Sequence, residues 1–261
     1  MVAEGTSPVL ADTSRDKVWL LRLNRPDKRN AISNEMLQVL ADQVRFAEQS
    51  QHVRCIVISG GETCFSAGAD IKEMRDAGIE AIQNRSRSEN WTVLETTRIP
   101  MIAAVNGICL GGGHELAMLC DIVIASNTAV FGQPEIKLGH IPGDGATQRL
   151  RRIVGKYAAM QMILTGETVD AQQALKLGLA AEVVAAENSE DRALEIASLI
   201  ARHSLKALGF AKDAVRASDE LSLSAGLERE RRNIALAFTT KDQSEGMSAF
   251  FEKRQPEFKD E

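Results

Sequence analysis

The segment Met101–Ala125, MIAAVNGICLGGGHELAMLCDIVIA, is the most informative part of this chain for its fold. It begins with the apolar run Met101–Val105, passes through three consecutive glycines, and ends with a second such run, Asp121–Ala125. Apolar residues between the glycines and the second run are spaced for a short helix. A strand, a glycine turn, a helix and another strand, in this order, predict an α/β protein.

The same alternation extends through the first two-thirds of the chain. Three further runs are predicted to be strands: Val18–Leu23, Cys55–Ser59 and Ala129–Phe131. Between the first two, Ser33–Ser50 carries apolar residues at helical spacing and is predicted to be a helix with one buried face. Together these units indicate a largely parallel sheet or a spiral of sheets.

Beyond about Gly145 the strand pattern fades, apart from the brief run Ala181–Val184, and helices follow one another. Asp170 with a glutamine three residues on predicts the start of one helix, and Gly178 predicts its end. We therefore divide the chain into a core, residues 1–190, and a helical C-terminal region, residues 191–261.

The final helix shows a similar pattern. Asp242 and Glu245 form a second capping pair, which predicts a helix start near them. Met247, Phe250 and Phe251 follow and are predicted to form the apolar face of that helix.

The composition is that of an ordinary globular protein. In 261 residues, 31 Lys and Arg stand against 36 Asp and Glu, which gives a formal charge of −5. Such a balance provides no overall basic field for nucleic acid or membrane phosphates. Any anionic ligand has to be met by local groups.

The cysteines and the N-terminal segment bear on location. The four cysteines include no CxxC pair, and no histidine pair follows at finger-like spacing, so no metal site is expected. Met1–Lys17 carries Glu4, Asp12 and Asp16 and has no apolar core, which argues against a signal peptide. No run reaches the roughly 20 apolar residues of a membrane helix. A reduced, cytoplasmic protein is predicted.

Two glutamates stand twenty positions apart, each in a segment suited to aiming it. Glu115 follows the triple glycine, where the start of a helix directs unpaired N–H groups outward and favours an oxyanion. Glu135 follows Pro134, which stiffens the turn after a strand. Each glutamate alone has an ordinary structural explanation, but the pair indicates acid/base chemistry. For the flanking His114 and His140, packing is favoured over catalysis.

Other glycine motifs are excluded by their spelling. The chain contains no GxGxxG and no GxxxxGK[ST] sequence, so neither dinucleotide nor P-loop binding is supported. The segment Cys64–Gly68 misses the GxSxG nucleophile elbow at its first position.

Several separated motifs follow one another along the chain: Leu23–Ala31, Phe65–Met74, Ala104–Gly107, Gly111–Asp121, Phe131–Leu150 and Glu252–Phe258. In this order they resemble the enoyl-CoA hydratase/isomerase (crotonase) superfamily, and the likeness covers nearly the whole chain. The resemblance implies a crotonase-like spiral of ββα units, with a helical C-terminal region that mediates contacts in a homotrimer or a dimer of trimers.

The resemblance also implies the chemistry. The main-chain N–H groups of Ala69 and Gly112 would form an oxyanion hole for a thioester carbonyl. Glu115 would hold and deprotonate a water, and Glu135 would deliver a proton to the neighbouring carbon. The expected activity is reversible syn hydration of a 2-enoyl-CoA to a 3-hydroxyacyl-CoA. No metal or separate cofactor is expected, because coenzyme A is part of the substrate.

The acyl-CoA partner is expected to meet several further positions. The resemblance implies that they lie around the cofactor, two of them in reach of a neighbouring subunit: Asp27, Lys28, Arg29, Ala67, Asp70, Ile71, Lys72, Gly143, Phe250 and Lys253. Lys28, Arg29 and Lys253 would supply local positive charge, although a single Lys or Arg is more often just a solvated cation.

Asp144 departs from the hydratase pattern, which has a small residue there. A carboxylate at this position could select a polar substrate, or it could pair with Arg149 or Arg151. It could also alter the chemistry, because the acyl-CoA dehalogenases of the superfamily have an aspartate nucleophile at about this position. An enoyl-CoA or dienoyl-CoA isomerase and a dehalogenase or hydrolase using Asp144 therefore stay open, as does a crotonase-fold binding protein without activity. The segment Arg75–Asn90 is poorly patterned and leaves the acyl chain unassigned.

Overall fold

The computed structural model describes residues 7–50 and 52–261 and contains two β-sheets. The larger sheet has six strands in the order β1-β2-β3-β5-β7-β10, parallel except for β1 against β2. Its strands are β1 (Val9–Arg15), β2 (Val18–Leu23), β3 (Cys55–Ser59), β5 (Met101–Val105), β7 (Ile122–Ser126) and β10 (Glu182–Val184). The smaller sheet has the order β4-β6-β8-β9, with β9 antiparallel to β8. Its strands are β4 (Cys64–Ser66), β6 (Ile108–Leu110), β8 (Val130–Gly132) and β9 (Thr168–Asp170).

The chain winds between the two sheets as a spiral. Three successive turns each give one strand to the larger sheet and the next to the smaller one, as β3 and β4, β5 and β6, and β7 and β8. A helix follows each of these strand pairs. The predicted spiral of ββα units is therefore confirmed.

Helices cover both faces of the larger sheet. The helices are α1 (Asn34–Ser50), α2 (Ile71–Ala77), α3 (Ile79–Gln83), α4 (Arg85–Thr96), α5 (Gly112–Leu119), α6 (Ala146–Thr165), α7 (Ala171–Leu177), α8 (Ser189–Ile200), α9 (Leu205–Ala217), α10 (Leu223–Ala237) and α11 (Lys241–Glu252). One face packs on α1, α4 and the smaller sheet, and the other on α8. Alternate residues of a strand point to opposite faces, and both faces of this sheet are covered. The central strands are therefore apolar throughout.

The C-terminal region is tied to the core by partly buried ion pairs. Lys212 of α9 contacts Asp121 at 2.8 Å, and Arg54 beside β3 contacts Asp260 of the C-terminal tail at 2.7 Å. Position 190 lies inside α8, which packs on the larger sheet. The division at residues 190 and 191 stays a prediction.

Most predicted elements are present, with small shifts. The strands predicted at Asp121–Ala125 and Ala129–Phe131 each lie one residue later, as β7 and β8. The strands β1, β4, β6 and β9 were not predicted. Three of them have only three residues each, and β1 is a largely exposed edge strand, so none carries a long apolar pattern.

The predicted cap of the final helix is wrong. Thr240 caps α11 by accepting the N–H of Gln243, whereas Asp242 is buried and accepts the N–H groups of Lys259 and Asp260. The carboxylate therefore binds the C-terminal tail. Phe250 and Phe251, predicted on the apolar face of this helix, are exposed in the single chain, at 79% and 81%.

Three expectations about location have different outcomes. None of the helices in residues 7–50 and 52–261 combines the length and the apolar character needed to cross a bilayer. Residues 1–6, including Glu4 of the N-terminal argument, lie outside the described residues. The cytoplasmic location stays a prediction.

Candidate active site

Glu115 lies in the first turn of α5, directly after the glycine turn. Gly111 begins the helix with a positive φ of 49°, a conformation that glycine adopts without strain. The Glu115 side chain is buried, and its Oε1 accepts the N–H groups of Asp144 and Ala146, both at 2.9 Å. Two main-chain donors thus fix this carboxyl group on the loop that precedes α6.

Glu135 begins a 3-10 helix, Glu135–Leu138, that follows β8 and Pro134. The fully buried Gln133 lies beside it, and in the amide orientation that gives both ends a partner its nitrogen donates to both Glu135 carboxylate oxygens at 3.2 Å. The amide oxygen of Gln133 accepts from His114 Nδ1 at 3.2 Å. Burial lowers the pKa of His114 to about 4, so the ring is neutral at pH 7 and serves to orient the amide.

Both glutamates line one cavity of about 210 Å³. Ala69 and Gly112 line it as well, and they approach so closely that a β-carbon at position 112 would stand 3.3 Å from the Ala69 nitrogen. Neither the Ala69 nor the Gly112 N–H donates to any group in the described part of the chain. Two unpaired donors thus lie beside two carboxyl groups, and the oxyanion hole that the family resemblance implies at Ala69 and Gly112 stays a prediction.

The carboxyl groups hold protons more tightly than exposed ones do. Burial, with the charge of Asp144 as the next cause, raises the pKa of Glu115 to about 7. Burial also raises the pKa of Glu135. Glu115 is therefore present in both its ionised and its protonated form near neutral pH, which suits a group that takes up and releases a proton.

Asp70 lines the cavity but also has a structural role. It caps α2 by accepting the N–H groups of Lys72 and Glu73, and it binds Arg25 at 2.9 Å. Burial works against its ionisation, but the Arg25 hydrogen bond and the main-chain donors prevail and lower its pKa. Asp70 is thus a fixed anion at the cavity wall.

The structure brings together some of the predicted coenzyme A positions and not others. Those lining the cavity are Ala67, Asp70, Ile71 and Gly143. Asp27, Lys28 and Arg29 lie just outside it, where the Arg29 carbonyl accepts the Ala67 N–H at 2.9 Å. Lys72, Phe250 and Lys253 do not line it within the described chain, and the last two lie on or at the end of α11. Contact of any of these positions with coenzyme A stays a prediction.

The expected partner of Asp144 is wrong. Its carboxylate pairs with Arg87 at 2.6 Å, whereas Arg149 donates to its main-chain carbonyl and pairs with Glu95. Arg151 is exposed. Arg87 reaches the site because the unpatterned segment Arg75–Asn90 folds into helices that form one cavity wall.

Sequence reasoning missed two site residues. Gln133 belongs to a quoted motif, but an amide has no charge pattern that marks it as a carboxylate partner. Arg87 lies on α4, whose polar composition resembles a solvated surface.

Within the described residues, no group of three His, Cys, Asp or Glu side chains is placed to hold a metal ion. The expectation that no metal is needed stays a prediction.

Comparisons with known proteins agree with this geometry. The family described as enoyl-CoA hydratase/isomerase matches residues 13–261. The 2,3-dehydroadipyl-CoA hydratase of Escherichia coli K12 is 46% identical, over 94% of this chain and 96% of that protein. The mitochondrial enoyl-CoA hydratase of Pongo abelii is 42% identical, over 94% of this chain and 84% of that protein.

A solved structure shows the same fold. A crystal structure of an enoyl-CoA hydratase subunit from Geobacillus kaustophilus superposes with a TM-score of 0.92 at 38% identity, covering 97% of this chain and 98% of that one. The chain belongs to the enoyl-CoA hydratase/isomerase family. It is an enzyme of the enoyl-CoA hydratase type.

Proposed function

We propose that this enzyme adds water reversibly, with syn geometry, across the 2,3 double bond of a 2-enoyl-CoA to give a 3-hydroxyacyl-CoA. The observation that carries the proposal is the single cavity holding Glu115, Glu135 and the two unpaired N–H groups of Ala69 and Gly112. Hydration needs a base for water, an acid for carbon and donors for the carbonyl oxygen. Each requirement has a candidate group in that cavity.

The reaction proceeds in two balanced steps. Glu115, ionised, takes a proton from water while the water oxygen bonds to C3, and the double-bond electrons move onto the thioester oxygen. The N–H groups of Ala69 and Gly112 stabilise that oxygen, and losing one such donor typically costs about 10²- to 10³-fold in rate. Glu135 then gives its proton to C2, and the enolate electrons form the new C–H bond. The proton left on Glu115 then passes to Glu135, directly or through solvent, and this transfer restores the starting state.

The position of Asp144 weighs against the dehalogenase alternative. A nucleophile must be free to attack the acyl group, but the Asp144 carboxylate is bound by Arg87 at 2.6 Å. An isomerase that shifts a 3-enoyl double bond would need chiefly Glu135. The two activities therefore predict different effects of changing Glu115.

The test measures loss of the conjugated thioester absorbance of crotonyl-CoA. Wild type is expected to turn it over, and Glu115→Gln and Glu135→Gln are each expected to lower kcat by about 10² to 10⁴-fold. Absence of turnover for any chain length refutes hydration. If Glu115→Gln leaves isomerisation of a 3-enoyl-CoA intact and wild type hydrates nothing, the isomerase is the right assignment.

The charge of the cavity favours a neutral acyl group. Among the described residues that line it, Arg87 carries the one guanidinium or ammonium group, and Asp144 already pairs with it. The carboxyl groups there are Asp70, Glu73, Glu115, Glu135 and Asp144. A carboxylate at the end of the acyl chain would thus find no free cation among the lining residues.

A pair of matched substrates tests this preference. The chain is compared on 2-hexenoyl-CoA and 2,3-dehydroadipyl-CoA, which have the same carbon number and differ in the terminal carboxylate. A higher kcat/KM for 2-hexenoyl-CoA is expected. A higher value for 2,3-dehydroadipyl-CoA, the substrate in the name of the Escherichia coli relative, contradicts the neutral-chain proposal and leaves hydration itself intact.

The active enzyme is further proposed to be a homotrimer or a dimer of trimers. Large apolar side chains of the C-terminal helices are exposed in the single chain, including Leu223 at 80%, Phe250 at 79% and Phe251 at 81%. Light scattering of wild type and of Phe250→Glu/Phe251→Glu tests it. A monomeric wild type overturns the trimer, and Lys253 can then meet coenzyme A only within its own chain.

A further inference from the structure

We propose that Arg87 is a positioning residue for Glu115 that acts through Asp144. The inference rests on the proposed function, in which Glu115 is the base that deprotonates water. Arg87 itself is not required to touch the substrate. Its role is to control the charge that Asp144 presents to the base.

Asp144 influences Glu115 in two opposite ways. Its main-chain N–H donates to Glu115 Oε1 at 2.9 Å, which favours the ionised base. Its carboxylate carries a like charge, which opposes ionisation and, after burial, contributes most to raising the pKa of Glu115. Only the second effect depends on the ionisation of the Asp144 side chain.

Arg87 holds that carboxylate in place. Its Nη2 lies 2.6 Å from Asp144 Oδ2, with both side chains largely buried, at 14% and 19% exposure. The guanidinium also lies over the Trp91 ring, 5.8 Å from its centroid. Arg149 donates to the Asp144 carbonyl at 3.0 Å, so the residue is fixed from two sides.

The charges around Glu115 come from three elements besides its own helix. The loop before α6 contributes Asp144, the 3-10 helix contributes Glu135 with His140 beside it, and α4 contributes Arg87. Removing Arg87 leaves the Asp144 charge without its partner and free to turn toward the cavity. The proton affinity of Glu115 then rises, and the base is ionised only at higher pH.

The experiment measures kcat/KM for crotonyl-CoA against pH in Arg87→Met, Asp144→Asn and the double variant. In Arg87→Met, the acid limb of the pH profile should move to higher pH by about one unit, which lowers kcat/KM about tenfold at pH values below the limb. In Asp144→Asn, the acid limb should move to lower pH. In the double variant the limb should match that of Asp144→Asn, because Arg87 then has no charge to offset. A shift caused by Arg87→Met that persists in the Asp144→Asn background overturns the inference.

Arg85→Met is the matched control. Arg85 lies on α4 two residues away and pairs with the exposed Glu89, so its loss removes the same charge without touching Asp144. It should leave the acid limb unchanged, and an equal shift in both variants contradicts the proposed route through Asp144.

A second readout separates the two proposals. The carboxyl carbon of Glu115, assigned in isotope-labelled protein by its loss in Glu115→Gln, is titrated by NMR in wild type and Arg87→Met. Its midpoint should rise in Arg87→Met, whether or not the wild type hydrates crotonyl-CoA. An unchanged midpoint refutes the role of Arg87, whereas absent turnover refutes only the proposed reaction.

Discussion

Gly111 lies so close to Glu135 that a β-carbon built at position 111 would stand 2.6 Å from the Glu135 Oε1. The first glycine of the triple turn therefore has two functions. It takes the positive φ of 49° that begins α5, and it leaves room for the carboxyl group of the proposed acid.

Gly111→Ala is expected to lower kcat/KM by about 10²-fold, because the new methyl group displaces the Glu135 carboxylate from its position and small misplacements of catalytic groups cost this much. It should also destabilise the fold by about 1–3 kcal/mol, because alanine is strained at a φ of 49° and a ψ of −127°. Steady-state kinetics and chemical denaturation measure the two effects.

Gly139→Ala provides the control for strain. Gly139 has a φ of 79° and caps the 3-10 helix that starts at Glu135, but a β-carbon there meets nothing within 4 Å. It should share the loss of stability and keep most of the activity. Equal losses of activity in the two variants contradict the steric explanation.

Gln133→Met is expected to impair catalysis by removing the N–H donors to Glu135. The ionised form of Glu135 loses more than the protonated form, so the pKa of this carboxyl group, already raised by burial, should rise further. Since Glu135 acts when protonated, the basic limb of the pH profile should move to higher pH while kcat falls. Gln148→Met, at an exposed glutamine of α6, should change neither. A fall in kcat with an unmoved limb refutes the electrostatic part.

Much of the site could be predicted because its residues are local in sequence. The triple glycine and Pro134 determine the backbone that carries Glu115 and Glu135, so their placement follows from turn and helix-cap chemistry. The unpaired N–H of Gly112 follows for the same reason. These features need no knowledge of distant contacts.

The remaining features depend on distant contacts that no local pattern reveals. Arg87 and Asp144 are 57 positions apart and meet only because the spiral brings α4 against the loop before α6. The short strands of the smaller sheet gain their stability from pairing, since three residues hold too little pattern to predict a strand. Local reasoning offers only Arg149 or Arg151 as a pairing partner for Asp144, and that alternative is wrong.

Asn30 supports the loop beside the cavity, and its replacement is expected to be costly. This buried residue has a φ of 53°, donates to the Gly60 and Cys64 carbonyls at 2.9 Å, and accepts the Arg25 N–H at 2.9 Å. Asn30→Ala should lower the free energy of unfolding by about 2–4 kcal/mol, because it leaves these groups unpaired. Asn30→Gly should be about 1 kcal/mol less harmful, because glycine relieves the positive φ. Two equally stable variants contradict the contribution from φ, and a wild-type-like Asn30→Ala contradicts both.

Glu115→Gln is expected to stabilise the protein above neutral pH while it removes activity. The pKa of Glu115 rises from an ordinary value of 4.5 to about 7 on folding, so the folded state binds its proton more tightly than the unfolded chain does. Below pH 4.5 both states are protonated and glutamine confers no advantage. Between 4.5 and about 7 the stability of the wild type falls as pH rises, by up to about 3 kcal/mol in total.

Thermal unfolding at pH 4 and pH 8 checks this expectation. The Tm of Glu115→Gln should exceed that of wild type at pH 8, and the difference should vanish near pH 4. Glu190→Gln is a control of opposite sign. Burial raises the pKa of Glu190, but the hydrogen bonds from Arg22 and Ser59 and the charge of Arg22 together outweigh burial and lower it, so the ionised form stabilises the fold. That variant should lose stability at pH 8, where the Glu190 carboxylate would be ionised. If Glu115→Gln also loses stability at pH 8, the ionised Glu115 is well accommodated, and its pKa is not raised by burial as described.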